Sequence, residues 1–178
     1  MNLSKLRKII RVIVIAIPIF ALVWIVNKNF VFSGHMEVEY NFDKTSPFIS
    51  VLKPAGRALE VERGEDGDYF QKIIIDPVYF DLYMPTEFNK VKLIFVYEAP
   101  VGREVKVGPQ VFGPGWNYNL EELTCGERYN NWCVSELDFD LNESFLNNKK
   151  INFMISSPGL DKSGEEIKIT KIRAELTK

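Results

Sequence analysis

Trp116 and Tyr118 follow a Gly-Pro-Gly turn, and Tyr129 and Trp132 stand between the two cysteines of the chain, Cys125 and Cys133. Indole and phenol rings presented from turns offer flat platforms for the C–H face of a pyranose, with neighbouring amides holding the hydroxyls. Asn117, Asn119, Asn130 and Asn131 lie beside these rings in the chain. The competing expectation is packing. Trp116, Tyr118 and Leu120 alternate as the core face of a strand would, and Trp132 is placed to cover a disulfide. Both readings stay open at this level.

Carboxylates supply the other candidate chemistry: Asp76, Asp81, Glu87, Glu98 and Glu104 fall in the central strands and turns. A polysaccharide hydrolase needs two of them facing each other at a set separation, and spacing along a strand does not specify facing. Asp76-Pro77 also starts an ordinary turn. GEDGD (64–68) and DKSGEE (161–166) bring oxygens close enough to suggest structural calcium, without the spacing of an EF-hand loop. No other cofactor is expected. With one histidine, His35, a Ser–His or Cys–His mechanism has almost no material. The phosphate-loop, Cys-x-x-Cys and GxSxG patterns are missing. The reading is a non-catalytic module.

Two kinds of element must position these residues. The first is an apolar run, residues 9–26, in which Val12 to Val26 carry no polar side chain. Eighteen helical residues rise about 27 Å, close to the hydrocarbon thickness of a bilayer. Pro18 predicts a kink, and Trp24 is suited to an interface. Lys5, Arg7, Lys8 and Arg11 precede or open the run, and only Lys28 follows closely. The positive-inside rule then predicts a single-pass signal-anchor with its N-terminus cytoplasmic and its C-terminal domain extracytoplasmic. A cleaved signal peptide is the alternative, but NKNFVFSGHM offers no small-x-small site.

Beyond residue 32 lie all 24 acidic residues and 17 of the 22 basic ones, a net charge of −7. That balance disfavours nucleic acid as a partner. Cys125 and Cys133 bracket GERYNNW, and an even count outside the membrane predicts one disulfide. A two-thiol metal site, or free thiols in a reducing compartment, are the alternatives. Asn142-Glu-Ser144 is a glycosylation sequon.

The second kind of element is the β-strand. MEVEYNFD, RALEVE, YFQKIII, VYFDLYM, KVKLIFVYE, REVKVGPQVF, WNYNLEEL, VSELDFDL and KINFMIS read as strands by alternation, with FISVL as a shorter one. ESFLNNKK suggests a short helical turn. In EIKITKIRAEL the apolar residues change parity near Thr170-Lys171, which predicts a β-bulge. About ten strands separated by turn signals predict an all-β antiparallel β-sandwich preceded by one N-terminal transmembrane helix. The expected divisions are a tail at 1–8, anchor and juxtamembrane stretch at 9–32, and sandwich at 33–178.

KINFMISSPGL followed by EIKITKIRAEL resembles the closing strands of galactose-binding-like jelly rolls, the fold of many carbohydrate-binding modules. That resemblance covers about 30 residues, and it implies that the all-β antiparallel β-sandwich is jelly-roll-like, with a last strand lying beside the first. GDYFQKIIIDPVYFDLYMPTEFNKVKLIFVYE resembles uncharacterised single-span proteins of reduced-genome bacteria, which implies an anchored architecture and no particular chemistry. Together the expectations are a bilayer contact through residues 9–26 and a binding module for glycan or an envelope protein. The alternatives are an assembly subunit of an envelope complex and a carboxylate-based polysaccharide hydrolase.

Overall fold

The computed structural model describes residues 11, 13–24, 34–64 and 66–178. It divides into two units, residues 1–33 and 34–178. In the first, residues 11 and 13–24 are helical through Pro18, and their large apolar side chains, from Ile13 to Trp24, are exposed. Among the described residues no helix is long and apolar enough to cross a membrane. Residues 9, 10, 12, 25 and 26 of the expected span, and the expected tail at 1–8, lie outside the described residues.

The second unit is a sandwich of antiparallel sheets. Its strands are β1 (His35–Tyr40), β2 (Ala58–Arg63), β3 (Tyr69–Ile73), β4 (Val78–Tyr83), β5 (Lys90–Glu98) and β6 (Lys106–Pro109). They continue with β7 (Glu121–Glu122), β8 (Glu127–Tyr129), β9 (Trp132–Asp140), β10 (Leu146–Asn147), β11 (Lys150–Ser156) and β12 (Ile167–Thr177). One sheet has seven strands in the order β2-β3-β12-β5-β9-β8, with β1 also on β12. The other has five, β10-β11-β6-β7, with β4 on the far side of β11. The first strand does lie beside the last, from His35 opposite Thr177 to Tyr40 opposite Ile172.

Alternation explains which face each strand buries. Val91, Leu93, Phe95 and Tyr97 of β5 point inward with Leu137 and Phe139 of β9. Val78, Phe80 and Leu82 of β4 meet them from the other sheet with Ile151, Phe153 and Ile155 of β11. Phe80 stacks on Phe153 at 5.2 Å between ring centroids, and each turns an edge contact of 6.0 Å to the opposite sheet, to Phe95 and Phe139 respectively. Such pairs contribute about 0.5–1.5 kcal/mol each beyond area burial.

Register shifts between Ile169 and Lys171 where β12 pairs with β5. This is the predicted bulge. It lets Ile167 and Ile169 on one side of it, and Ile172, Ala174 and Leu176 on the other, all reach the core.

Three local expectations are corrected. ESFLNNKK holds no helical turn; β10 and β11 form a hairpin whose two loop residues, Asn148 and Lys149, have φ of 50° and 62°. Those values suit a tight turn between twisted strands. FISVL is no strand; within it only Ile49 forms a bridge to β4, with Leu82. WNYNLEEL supplies only the two-residue β7, because the chain ahead of it rides over the sheet. Between β11 and β12 stands a short helix, Leu160–Ser163.

Candidate functional site

The outer face of the five-stranded sheet carries the alternate residues of its strands: Tyr79 and Asp81 of β4, Asn152 of β11 and Gly108 of β6. Asp81 and Asn152 are register partners, so their side chains emerge together. The Asn152 amide Nδ2 donates to Asp81 Oδ1 at 2.8 Å, and Lys53 Nζ donates to the other carboxylate oxygen at 2.6 Å.

Lys53 arrives on residues 48–53, which cross beside β4 with backbone bonds to Tyr79 in both directions. The buried side chain of Gln71 fastens this segment from the other sheet. Its Oε1 accepts from Leu52 N–H at 3.1 Å, while its Nε2 donates to the carbonyls of Leu59 and Leu52 at 2.8 and 3.3 Å. One satisfied amide in the core thus positions one end of the site.

An arm, residues 110–119, closes the other end. The arm doubles back on itself, with Val111 N–H donating to Asn117 C=O and Asn119 N–H to Pro109 C=O, each at 3.0 Å. Its tip is the predicted Gly113-Pro114-Gly115 turn. The returning limb passes so close over Gly108 that a Cβ there would sit 1.7 Å from the Asn119 carbonyl oxygen. Only glycine allows this approach.

The limb carries Tyr118 and Trp116. Tyr118 lies 6.0 Å from Tyr79 between ring centroids, and its hydroxyl donates to Asn152 Oδ1 at 2.8 Å. Trp116 is 79% exposed. The expectation that Trp116, Tyr118 and Leu120 form one buried strand face therefore fails: Trp116 and Tyr118 lie on the arm, Trp116 is exposed, and Tyr118 and Leu120 are only half-buried.

Two open clefts flank the Trp116 ring. One, of about 510 Å³, is lined by Lys53, Pro54, Tyr79, Trp116 and Asn152. The other, of about 270 Å³, is lined by Asp81, Gln110, Trp116, Phe145, Lys150 and Asn152 among others. They share Trp116 and Asn152.

The polar chain Tyr118–Asn152–Asp81–Lys53 fixes the charge state of the site. Burial pushes the Tyr118 phenol up to about 12, with Tyr79 and Asp81 adding to the effect. Burial opposes ionisation of Asp81, but the hydrogen bonds from Lys53 and Asn152 and the charges of Lys53 and Lys150 outweigh it, so its carboxyl titrates below the ordinary range. At neutral pH the face presents a neutral phenol, an amide, an anchored carboxylate and ammonium groups.

The structure separates the four aromatic residues singled out above into two pairs. Tyr129 and Trp132 belong to the β8–β9 hairpin on the seven-stranded sheet, not to the face holding Trp116 and Tyr118. The ring contact of Trp132 is with Phe70, at 6.2 Å. Cys125 and Cys133 are disulfide-bonded, as predicted.

Of the five central carboxylates, Asp81 alone lines either cleft. Asp76 accepts from Ser157 N–H at 2.6 Å, Glu98 pairs with Lys168 at 3.1 Å, and Glu104 pairs with Lys106 at 2.6 Å. In 161–166, Glu165 is bound to Arg103 and Glu166 reaches Lys72 and Lys168. Among the described residues no group of three or more His, Cys, Asp or Glu side chains is placed to hold a metal.

Tyr79, Asn152 and Lys53 were not legible as site residues. The alternation of VYFDLYM and KINFMIS shows that Tyr79, Asp81 and Asn152 face away from the core. Only strand pairing shows that they face one another.

No protein-family model matches the chain, and no curated protein matches it in sequence. Solved structures do resemble it. The CBM22-1 xylan-binding domain of Paenibacillus barcinonensis Xyn10C superposes with a TM-score of 0.51 at 9% identity, covering 79% of this chain and 94% of that domain. The CBM22-1–CBM22-2 tandem domain of the same protein gives the same score and identity, with 45% of its length covered. A family 35 carbohydrate-binding module from Clostridium thermocellum gives 0.49 at 13% identity, covering 78% and 97%. At these identities the likeness concerns the fold alone: the β-domain has a jelly-roll architecture like that of carbohydrate-binding modules.

Proposed function

We propose that this protein is a membrane-anchored, extracytoplasmic, non-catalytic glycan-binding module whose saccharide platform is the outer face of the five-stranded sheet. The observation that carries the reading is Trp116, held out over two clefts by the Gly108 crossing and flanked by Tyr79, Tyr118, Asn152 and Asp81. Exposed rings supply the stacking surface for sugar C–H faces, and the fixed amide, carboxylate and ammonium groups meet hydroxyls. The fold likeness to carbohydrate-binding modules supports the same reading. The apolar run at 9–26 with its preceding basic residues supports the anchor, and a disulfide suits an oxidising exterior.

The test is binding of the full-length chain, in a non-glycosidic detergent, to insoluble xylan, β-glucan, chitin and peptidoglycan. At least one is expected to retain the wild type and to release Trp116→Ala and Tyr79→Ala. Retention of both variants at wild-type level, or of nothing by any matrix, sinks the reading. Topology is tested separately by protease protection in sealed vesicles, where only the C-terminal domain is expected to be cut from outside.

One observation favours an assembly role as the second reading. Phe112 and Phe145 are 64% and 38% exposed and meet edge to face at 5.5 Å, an apolar spot at the base of the arm. An envelope protein that co-purifies with the wild type and is lost with Phe112→Ser would favour that role.

A further inference from the structure

The seven-stranded sheet has a cleft of its own, and its origin is topological. Along one edge of β12, β1 pairs with residues 172–177 and β3 with residues 167–169. Thr170 and Lys171 lie in the gap between those two neighbours, at the bulge. Asp43, after β1, and Asp68 and Tyr69, at the start of β3, wall the gap, and Thr170 Oγ1 donates to Tyr69 C=O at 2.8 Å. The floor is Val96 and Val134, outward-facing residues of β5 and β9.

The β8–β9 hairpin supplies the roof. Strands β12 and β5 stand between β3 and β9, a distance of roughly 14 Å at ordinary strand spacing. Yet Trp132 of β9 comes within 6.2 Å of Phe70 of β3, ring to ring. The hairpin thereby sends the Trp132 ring, met by that of Phe70, out over the face of β12 and β5. It is braced by the Cys125–Cys133 disulfide and holds Tyr129 out at 75% exposure beside the cleft.

We infer that this cleft, of about 510 Å³, is a second saccharide site, built on the opposite face of the sandwich from the first and taking an uncharged or amine-bearing sugar. The stacking surface is Tyr129 and Trp132, and the hydroxyl-binding groups are Asp43, Asp68 and Asn41. The charge class follows from the walls. Two carboxylates line the cleft, while the single lining cation, Lys171, lies 3.4 Å from Glu39 and is offset by it. The neighbouring cations are engaged as well, Lys44 4.0 Å from Asp43 and Arg63 donating to Gly67 C=O at 3.4 Å, so an anionic sugar would meet two carboxylates and cations already partnered. The two clefts are on opposite faces, so with the first site also occupied the domain would join two glycan chains. The inference stands on this cleft alone and does not need the first one to bind.

The β-domain contains two tryptophans, Trp116 and Trp132, and each reports on a different cleft. In full-length protein carrying Trp24→Phe, Trp116→Phe leaves Trp132 as the sole emitter, and Trp132→Phe leaves Trp116. Titration with xylohexaose, glucosamine hexamer and oligogalacturonate in a non-glycosidic detergent reads the sites separately. A saturable change in Trp132 emission is expected with the neutral or the amine-bearing probe and not with the oligogalacturonate. Tyr129→Ala should weaken that response by about tenfold, the loss of one stacking ring. An unmoved Trp132, or one that responds only to the oligogalacturonate, overturns the inference. Failure of the first site appears instead as an unmoved Trp116.

Discussion

The carbonyl oxygen of Asn119 occupies space that any side chain on Gly108 would need, 1.7 Å from where a Cβ would stand. The contact is between two stretches of backbone, so no rotamer change relieves a clash there. The aromatic arm and the sheet face beneath it are joined at this point.

Gly108→Ala is accordingly expected to lift the arm and disperse the first site while leaving the sandwich folded. Saccharide affinity at that site should fall by about tenfold or more, equivalent to at least about 1.4 kcal/mol. The Tyr118–Asn152 hydrogen bond should be lost with it. Far-UV circular dichroism should be unchanged, and Trp116 emission should shift. Unaltered affinity in the variant would show that the arm does not form the platform.

Acid should weaken the site through Asp81. Its carboxyl titrates below the ordinary value of 3.8, so the folded state prefers the ionised form. That stabilisation is fully present above the unfolded value and fades as pH falls through the lowered folded value. Urea unfolding of wild type and Asp81→Asn should therefore differ at pH 6, with the gap closing below about pH 4. A gap that stays constant into acid would rule out the ionised pair with Lys53.

Alkali acts through Tyr118 in the opposite direction. Its phenol titrates at about 12 rather than 10.0, so the folded state prefers the protonated hydroxyl that donates to Asn152. The contribution is whole below pH 10 and disappears as pH rises through 12. Spectrophotometric titration should show late-ionising phenols, one fewer in Tyr118→Phe. An identical late component in that variant would assign it to other tyrosines.

Gln71→Leu should cost stability with little change of volume. It strands Leu52 N–H and two carbonyls in the core, and a buried polar group left without a partner costs about 1–3 kcal/mol. The urea midpoint should drop, and saccharide binding at the Lys53 end should loosen with it. A variant as stable as wild type would mean that the 48–53 segment is held by its bonds to β4 alone.

Much of the β-domain was determined by sequence pattern, because a strand with one buried face must alternate. The inward rows of β5, β9 and β11 and the bulge in β12 follow from local spacing that any folded arrangement has to respect, while the disulfide was suggested by the even cysteine count. The β-sandwich class follows from them. The apolar run at 9–26 likewise stands in the residues themselves.

The sites were decided by tertiary structure. Pairing of β4 with β11 sets Asp81 against Asn152, residues 71 positions apart, and no spacing rule reaches across that distance. WNYNLEEL alternates like a strand, but Gly108 lets another backbone lie on the sheet, so the pattern yields an exposed Trp116 instead of a buried one. Four aromatic residues lie within 17 positions of one another, and the fold sends them to two opposite faces. Alternation is a property of one strand and its solvent. Which face a loop covers depends on what the neighbouring strand leaves open.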